Sequence, residues 1–193
     1  MGGNYLAQAT IFLVQLFFNI FILALLLRYL LTKVHADSFN PLYELIIKVT
    51  NPLLKPLRKI IPGYYGIDWS SVVALILIQA LEIILVELII SGNLLEFYGV
   101  IILTIAHLLK ILLYIYLFII IVQVIVSWIN PDTYNSITMM MYQLSEPILR
   151  PIRGLIPSTG GLDFSPLVIL VIINLLMILI ISPLMDLGSK LAF

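Results

Sequence analysis

The chain has 193 residues, of which 62% are hydrophobic and 10% charged, a balance too apolar at this length for one water-soluble core to hide. Ten basic and ten acidic side chains cancel, which gives no cationic surface for nucleic acid, and no nucleic-acid partner is expected. Cysteine is absent, so disulfides, thiolate nucleophiles and cysteine-bound metals are excluded together.

Tyr5 to Leu31 is the first run long enough to cross hydrocarbon, which takes about 20 residues. It has no basic residue before Arg28, is too long for a signal-peptide core and is followed by no small-residue cleavage site, so it reads as a retained span. Asn40 then caps a short helix opening at Pro41, where a missing N–H costs nothing. Pro52, Pro56 and Pro62 are expected to interrupt it, because each removes a backbone donor and restricts the residue before it. Leu53, Leu54, Leu57, Ile60 and Ile61 alternate with Lys55, Arg58 and Lys59, the pattern of a broken amphipathic segment in the headgroup layer. Gly66 supplies a turn, and a second span runs from Ser70 to Ile90. The link Ser91 to Phe97 leads to a third span, Tyr98 to Ile129. In the second loop Ile148, Leu149, Ile152, Leu155 and Ile156 surround Arg150 and Arg153, and Gly161 turns the chain. Ser165 as N-cap and Pro166 as first helical residue open the fourth span, Ser165 to Leu187.

The two loops are nearly the same text. Thr50 to Ser70 recurs as Ser145 to Ser165 at a constant offset of 95 residues without a gap, and nine of the 21 aligned positions are identical. The identities include Pro52/Pro147, Pro56/Pro151, Arg58/Arg153, Pro62/Pro157, Gly66/Gly161 and Asp68/Asp163. A fixed period of this kind marks a duplicated unit, with one copy over residues 1–95 and the other over 96–193. The fold expected is an all-α integral membrane protein. Its four transmembrane helices form two tandem, parallel helical hairpins with amphipathic cytoplasmic loop helices. Lys33, Lys48, Lys55, Arg58 and Lys59 crowd the first loop and Arg150 and Arg153 the second, whereas Ser91 to Phe97 carries no Lys or Arg. The positive-inside rule then puts both loops in the cytoplasm and both termini outside.

The doubled pattern P-x-L-[KR]-P-x-R-x-x-I-P-x-x-x-G-x-D-x-S, each copy between two hydrophobic spans, resembles the YggT family of bacterial integral membrane proteins, with YlmG and plastid relatives. The resemblance covers essentially the whole chain. It implies a small multi-pass protein of the inner (plasma) membrane, with no enzymatic activity and no cofactor. It also implies a role in the response to extracytoplasmic or osmotic stress, in cell division and shape, or, among plastid relatives, in cytochrome b6 assembly or nucleoid distribution.

Two groups of polar residues invite a mechanism. Arg58 and Asp68, like Arg153 and Asp163, stand ten residues apart across a Pro and Gly turn, so each pair could lock its loop against the next span. Alternatively the arginines bind lipid phosphate while the carboxylates help to cap a helix. Glu82, His107 and Lys110 fall inside apolar runs, where an ionised group costs about 2.5–3.5 kcal/mol. If spans two and three form a hairpin, Glu82 comes to the depth of His107 with Lys110 a turn away. That trio would be a proton or cation relay or a neutralised structural pair. Gln79 and Asn174 share the offset of 95 and suit hydrogen bonds between helices.

No nucleotide-binding loop, metalloprotease motif or Ser-His-Asp set is present. No catalytic residue and no metal site is expected. The leading reading is a non-enzymatic membrane factor acting through membrane lipids and a membrane-protein partner or homo-oligomer. A small oligomeric transporter or channel for ions, and an assembly factor for another membrane complex, are the alternatives.

Overall fold

The computed structural model describes residues 3–37, 39–129, 135–155 and 163–192. Among these it is all-helical, with no strand. Helix α1 (Gly3–Lys33) leads into α2 (Pro41–Ile60), and α3 (Trp69–Ser91) follows. Then come α4 (Phe97–Ile129), α5 (Ser136–Leu155), α6 (Ser165–Leu176) and, after a π-helical turn at Met177–Ile181, α7 (Ser182–Ala192). Four stretches are long and apolar enough to cross a membrane: Tyr5–Lys33, Trp69–Ser91, Phe97–Ser127 and Ser165–Ala192. They coincide with the four expected spans.

Helix α1 packs along α3, α3 along α4, and α4 along α6 and α7. The core gathers where the loop helices meet the spans. Ile22, Leu25 and Leu31 of α1, Tyr43, Ile46 and Leu54 of α2, Ala74 and Leu75 of α3, Ile115 and Ile119 of α4 and Leu144 of α5 form one buried cluster. A smaller one joins Ile120, Leu149, Ile169 and Ile173. The first half of α1 is largely bare, with Phe12, Leu13 and Phe17 all exposed, as befits a surface that lipid covers.

The prolines do not break the loop helices as expected. Pro52 and Pro56 lie inside α2, and Pro147 and Pro151 inside α5. All four side chains are exposed, and members of each pair are four residues apart, hence on one helix face. The carbonyls they leave unbonded, such as those of Lys48 and Pro52, therefore lie on the outer face, and the bonds of the buried face stay whole. Pro62 behaves as expected, since α2 stops at Ile60 and the Ile61 N–H caps Leu57 O at 2.8 Å. The Asn40 cap is also present, with its Oδ1 accepting from the Leu42 N–H at 3.0 Å. In the fourth span the N-cap is Phe164 rather than Ser165, because Asp163 Oδ1 accepts the Ser165 N–H at 2.9 Å and brings Ser165 into the first turn.

The π-helical turn has a local cause. Pro183 offers no N–H and its ring would crowd a regular α turn; the widened turn relieves this, and the Ser182 N–H and hydroxyl both reach back to Met177 O, the hydroxyl at 3.0 Å. Beyond it α7 lies against the start of α4, where Glu96 N–H donates to Ala192 O at 3.1 Å. Gly99 sits against the Ala192 backbone, and a methyl at Gly188 would come within 2.8 Å of Leu103 Cγ. Small residues here let two backbones approach. Gly99→Val should therefore lower thermal stability in detergent by about 1–3 kcal/mol. Gly154→Ala, which meets nothing within 4 Å, should be neutral or mildly stabilising in the same melt.

Candidate functional site

Each loop helix returns to the next span through a polar joint. In the first, Tyr64 and Ile67 exchange backbone hydrogen bonds of 3.1 Å around Tyr65 and Gly66, with φ of 53° and 72°. Two successive positive φ values define the tight turn that reverses the chain most sharply. Gly66 adopts it freely, whereas Tyr65 carries the steric cost of a side chain in the left-handed region. Across this turn Arg58 Nη2 donates to Asp68 Oδ2. The Ser71 hydroxyl donates to the same oxygen at 2.8 Å, and Ser70 Oγ donates to Ile61 O at 2.6 Å.

In the second joint Arg153 Nε donates to Asp163 Oδ2 at 2.8 Å, and its Nη1 to Glu146 Oε2 at 2.7 Å. Pro157 and Gly161 lie outside the described residues. The structure thus brings Arg58 to Asp68 and Arg153 to Asp163, and both carboxylates also bond the first turn of the following helix. Burial pushes the Asp68 carboxyl up, but the hydrogen bonds from Arg58 and Ser71 and the Arg58 charge outweigh it, so its pKa lies below the ordinary value. Asp163 is likewise held low, burial being outweighed by Arg153 and Ser165. Burial works against the Arg153 charge, yet bonds to Asp163 and Glu146 hold its pKa above the usual one.

The structure adds a tie that the loop motif does not contain. Arg28, on α1 and 4% exposed, donates from Nη1 to Thr50 Oγ1 at 2.6 Å and Asn51 Oδ1 at 3.0 Å on α2. Ninety-five residues on, Gln123 of α4 and Ser145 of α5 bond each other at 2.7 and 3.0 Å. The two ties pin each loop helix to the span before it, as the Arg–Asp joints pin it to the span after. The helices also meet each other, Asn40 Nδ2 donating to Ser136 O at 2.7 Å. Asn135, 95 residues after Asn40, caps α5 through the N–H groups of Ile137 and Thr138, both at 2.9 Å. Reading the offset beyond the motif would have found Arg28 with Gln123 and Asn40 with Asn135.

Inside the spans the partners differ from those expected. Glu82, 6% exposed, accepts from Asn19 Nδ2 of α1 at 3.1 Å and from Gln79 Nε2 at 2.9 Å. No hydrogen bond or ion pair joins it to His107 or Lys110 among the described residues. Its buried side faces α1, while Lys110 Nζ lies 6.0 Å from the Tyr114 ring centroid on its own helix. Asn174, exposed, bonds Leu170 O of its own helix at 2.8 Å, so the Gln79 and Asn174 positions are not alike in contact. No group of His and carboxylate side chains suited to a metal occurs among the described residues.

Four apolar spans and two loop helices held by polar joints define a small helical, multi-pass membrane protein. The CCB3/YggT family model matches residues 7–89 and again residues 102–184, and the chain belongs to that family. It is 38% identical over 184 residues to an uncharacterized protein of Pseudomonas aeruginosa, covering 92% of this chain and 90% of the relative. An uncharacterized protein of Haemophilus influenzae is 38% identical over 168 residues (87% of this chain, 88% of the relative). The uncharacterized protein YggT of Escherichia coli K12 is 33% identical over 163 residues, 84% of each chain. No solved structure matches at a significant level. These relatives indicate no enzymatic family.

Two measurements follow. Depressed carboxylate pKa values contribute stability above the unfolded value near 3.9 and lose it as pH falls through the lower folded value. Asp68→Asn and Asp163→Asn should therefore flatten the acid limb of stability measured in detergent. The Asp163 pair, 37% and 40% exposed, should contribute no more than about 1 kcal/mol, and Asp68, 12% exposed, more. Arg28→Gln should be tolerated because it supplies the donor Gln123 supplies, whereas Arg28→Leu should cost about 1–3 kcal/mol in the same unfolding measurement.

Proposed function

We propose that the chain is a non-catalytic inner-membrane factor of the response to extracytoplasmic (osmotic) stress, acting through the two loop helices on lipids and a membrane partner or second copy. In this reading the halves 1–95 and 96–193 are tandem copies inserted in the same sense. Their amphipathic loop helices lie in the cytoplasmic headgroup layer, and both termini are outside. The observation that supports it is the braced pair α2 and α5. They touch through Asn40 and Ser136 and expose Lys55, Lys59 and Arg150, none of which forms an ion pair among the described residues. Three uncompensated cations on a rigid platform are suited to anionic headgroups or an acidic partner face, where each contributes about 1 kcal/mol. The Arg–Asp joints act as the locks that hold this platform to the spans.

The test is growth of a deletion strain after osmotic upshift, complemented by the wild-type gene and by Lys55→Glu/Lys59→Glu/Arg150→Glu, with membrane levels matched. Wild type should restore growth and the triple variant should not, and crosslinking from native membranes should lose a partner or dimer band. Full complementation by the triple variant would overturn the reading.

A further inference from the structure

The bare first half of α1 carries a pattern. Tyr5, Gln8, Phe12, Gln15 and Asn19 follow one another at alternating steps of three and four residues, the spacing of a seam between two paired helices. All five are exposed. Among the described residues the Gln8 and Gln15 side chains form no hydrogen bond, and Asn19 Oδ1 accepts none, its Nδ2 being spent on Gln15 O at 2.8 Å and Glu82 Oε1 at 3.1 Å. Gln15 lies well inside the span Tyr5–Lys33, about 15 Å along the axis from Tyr5, where acyl chains offer neither donor nor acceptor. Lipid alone leaves its carboxamide unpaired.

The second half has a helix on this face. Ninety-five residues on, the seam positions are Val100, Leu103, His107, Lys110 and Tyr114 of α4, and α7 covers the first of them, with Gly188 against Leu103 and Ala192 against Gly99. Val100 is 7% exposed where Tyr5 is 76% exposed. In the first half α3 stops at Ser91 and the chain turns at Gly92, with φ of 72°, into α4, so α1 stays open where α4 is covered.

Chemistry and symmetry select what covers it. The seam holds no charge, and a carboxamide is donor and acceptor at once, so the seam is its own complement. Copies of one chain inserted in the same sense are related by an axis along the membrane normal, which sets α1 parallel to α1 and each seam residue near its own counterpart. We propose that α1 is a homodimer seam, two copies pairing in parallel along Tyr5, Gln8, Phe12, Gln15 and Asn19, with Gln15 Nε2 of each copy donating to Asn19 Oδ1 of the other. The second copy in the function proposed above then sits on α1, away from the cations of α2 and α5.

The chain has no cysteine, so one introduced thiol reports one position. In native membranes holding the full chain, oxidation should join Phe12→Cys copies into a species of twice the chain's mass. Phe17→Cys, on the far side of α1 and no less exposed (72% against 62%), should do so about fivefold less. A crosslink only to a protein of another mass, no crosslink at Phe12→Cys, or equal yields at the two positions would overturn the proposal. In vesicles holding only the purified protein, energy transfer between labelled copies should show dimerisation about five- to tenfold weaker for Gln15→Leu. The Gln15 side chain makes no bond within the chain, so its replacement leaves the fold in place, and unchanged energy transfer would likewise overturn the proposal. Such vesicles contain no partner and measure no growth, so failure of the seam leaves the complementation test standing, and failure of complementation leaves the seam standing.

Discussion

The hydrophobic effect turns the apolar face of an amphipathic helix inward, but its register against neighbouring helices needs directional contacts. In this protein the loop helices α2 and α5 take that register from polar ties to the spans. Arg28 with Thr50, and Gln123 with Ser145, fasten each loop helix to the span it leaves. Arg58 with Asp68, and Arg153 with Asp163, fasten it to the span it enters. A tie at mid-helix and another beyond the C-terminal end hold each loop helix at two points, whereas one tie would leave a hinge. The apolar cluster from Ile22 to Leu144 lies beside the buried Arg28 and Thr50, so packing and hydrogen bonding support one geometry there rather than competing. Low dielectric strengthens both, and it makes an unpaired partner costly.

Much of this was legible in the chain. The spans followed from length and apolarity, since a bilayer demands about 20 residues of either helix or closed barrel and the runs carry no strand alternation. The Asn40 cap and the stop at Pro62 followed from local donor chemistry. The error at Pro52 and Pro56 came from treating each proline as a break when their spacing of four puts both on one outer face, where an orphan carbonyl is cheap. Arg28 entered only as the first basic residue of the chain, inside the first span, and Gln123 was not singled out. Their pairing with Thr50 and Ser145 depends on a helix-to-helix contact that periodicity within one segment does not encode. The Glu82 partner was misplaced for a related reason: equal depth in a hairpin says nothing of which face a side chain takes, and Glu82 faces α1 rather than α4.

Positions 95 residues apart differ in a graded way from the loop helices into the spans. At the elbows the tie positions keep their chemistry, with Arg28 matched by Gln123, Thr50 by Ser145 and the Arg–Asp pairs unchanged. Deeper in the spans the correspondence holds at Gln79 with Asn174 but fails elsewhere. Asn19 is matched by Tyr114, Gln15 by Lys110, Glu82 by Met177 and Leu88 by Pro183. The last of these brings the π-helical turn at Met177–Ile181, at the level where the first half holds its buried carboxylate.

That gradient has a physical explanation. A polar group at the elbow is part of a closed set, and substituting one member strands the others, so change there costs stability at several points at once. Deep in the span only a few residues are hydrogen-bonded across helices, and a change from carboxylate to thioether removes a desolvation cost instead of adding one. The first half retains Glu82 in spite of that cost, with Gln79 and Asn19 arranged around it. A carboxyl group buried in this way is held by two hydrogen bonds from neutral amides, at about 0.6 kcal/mol each in membranes, and sheds the cost of an ionised group by taking up a proton. The asymmetry between the halves is therefore sharpest at Glu82, whose counterpart 95 residues on is Met177.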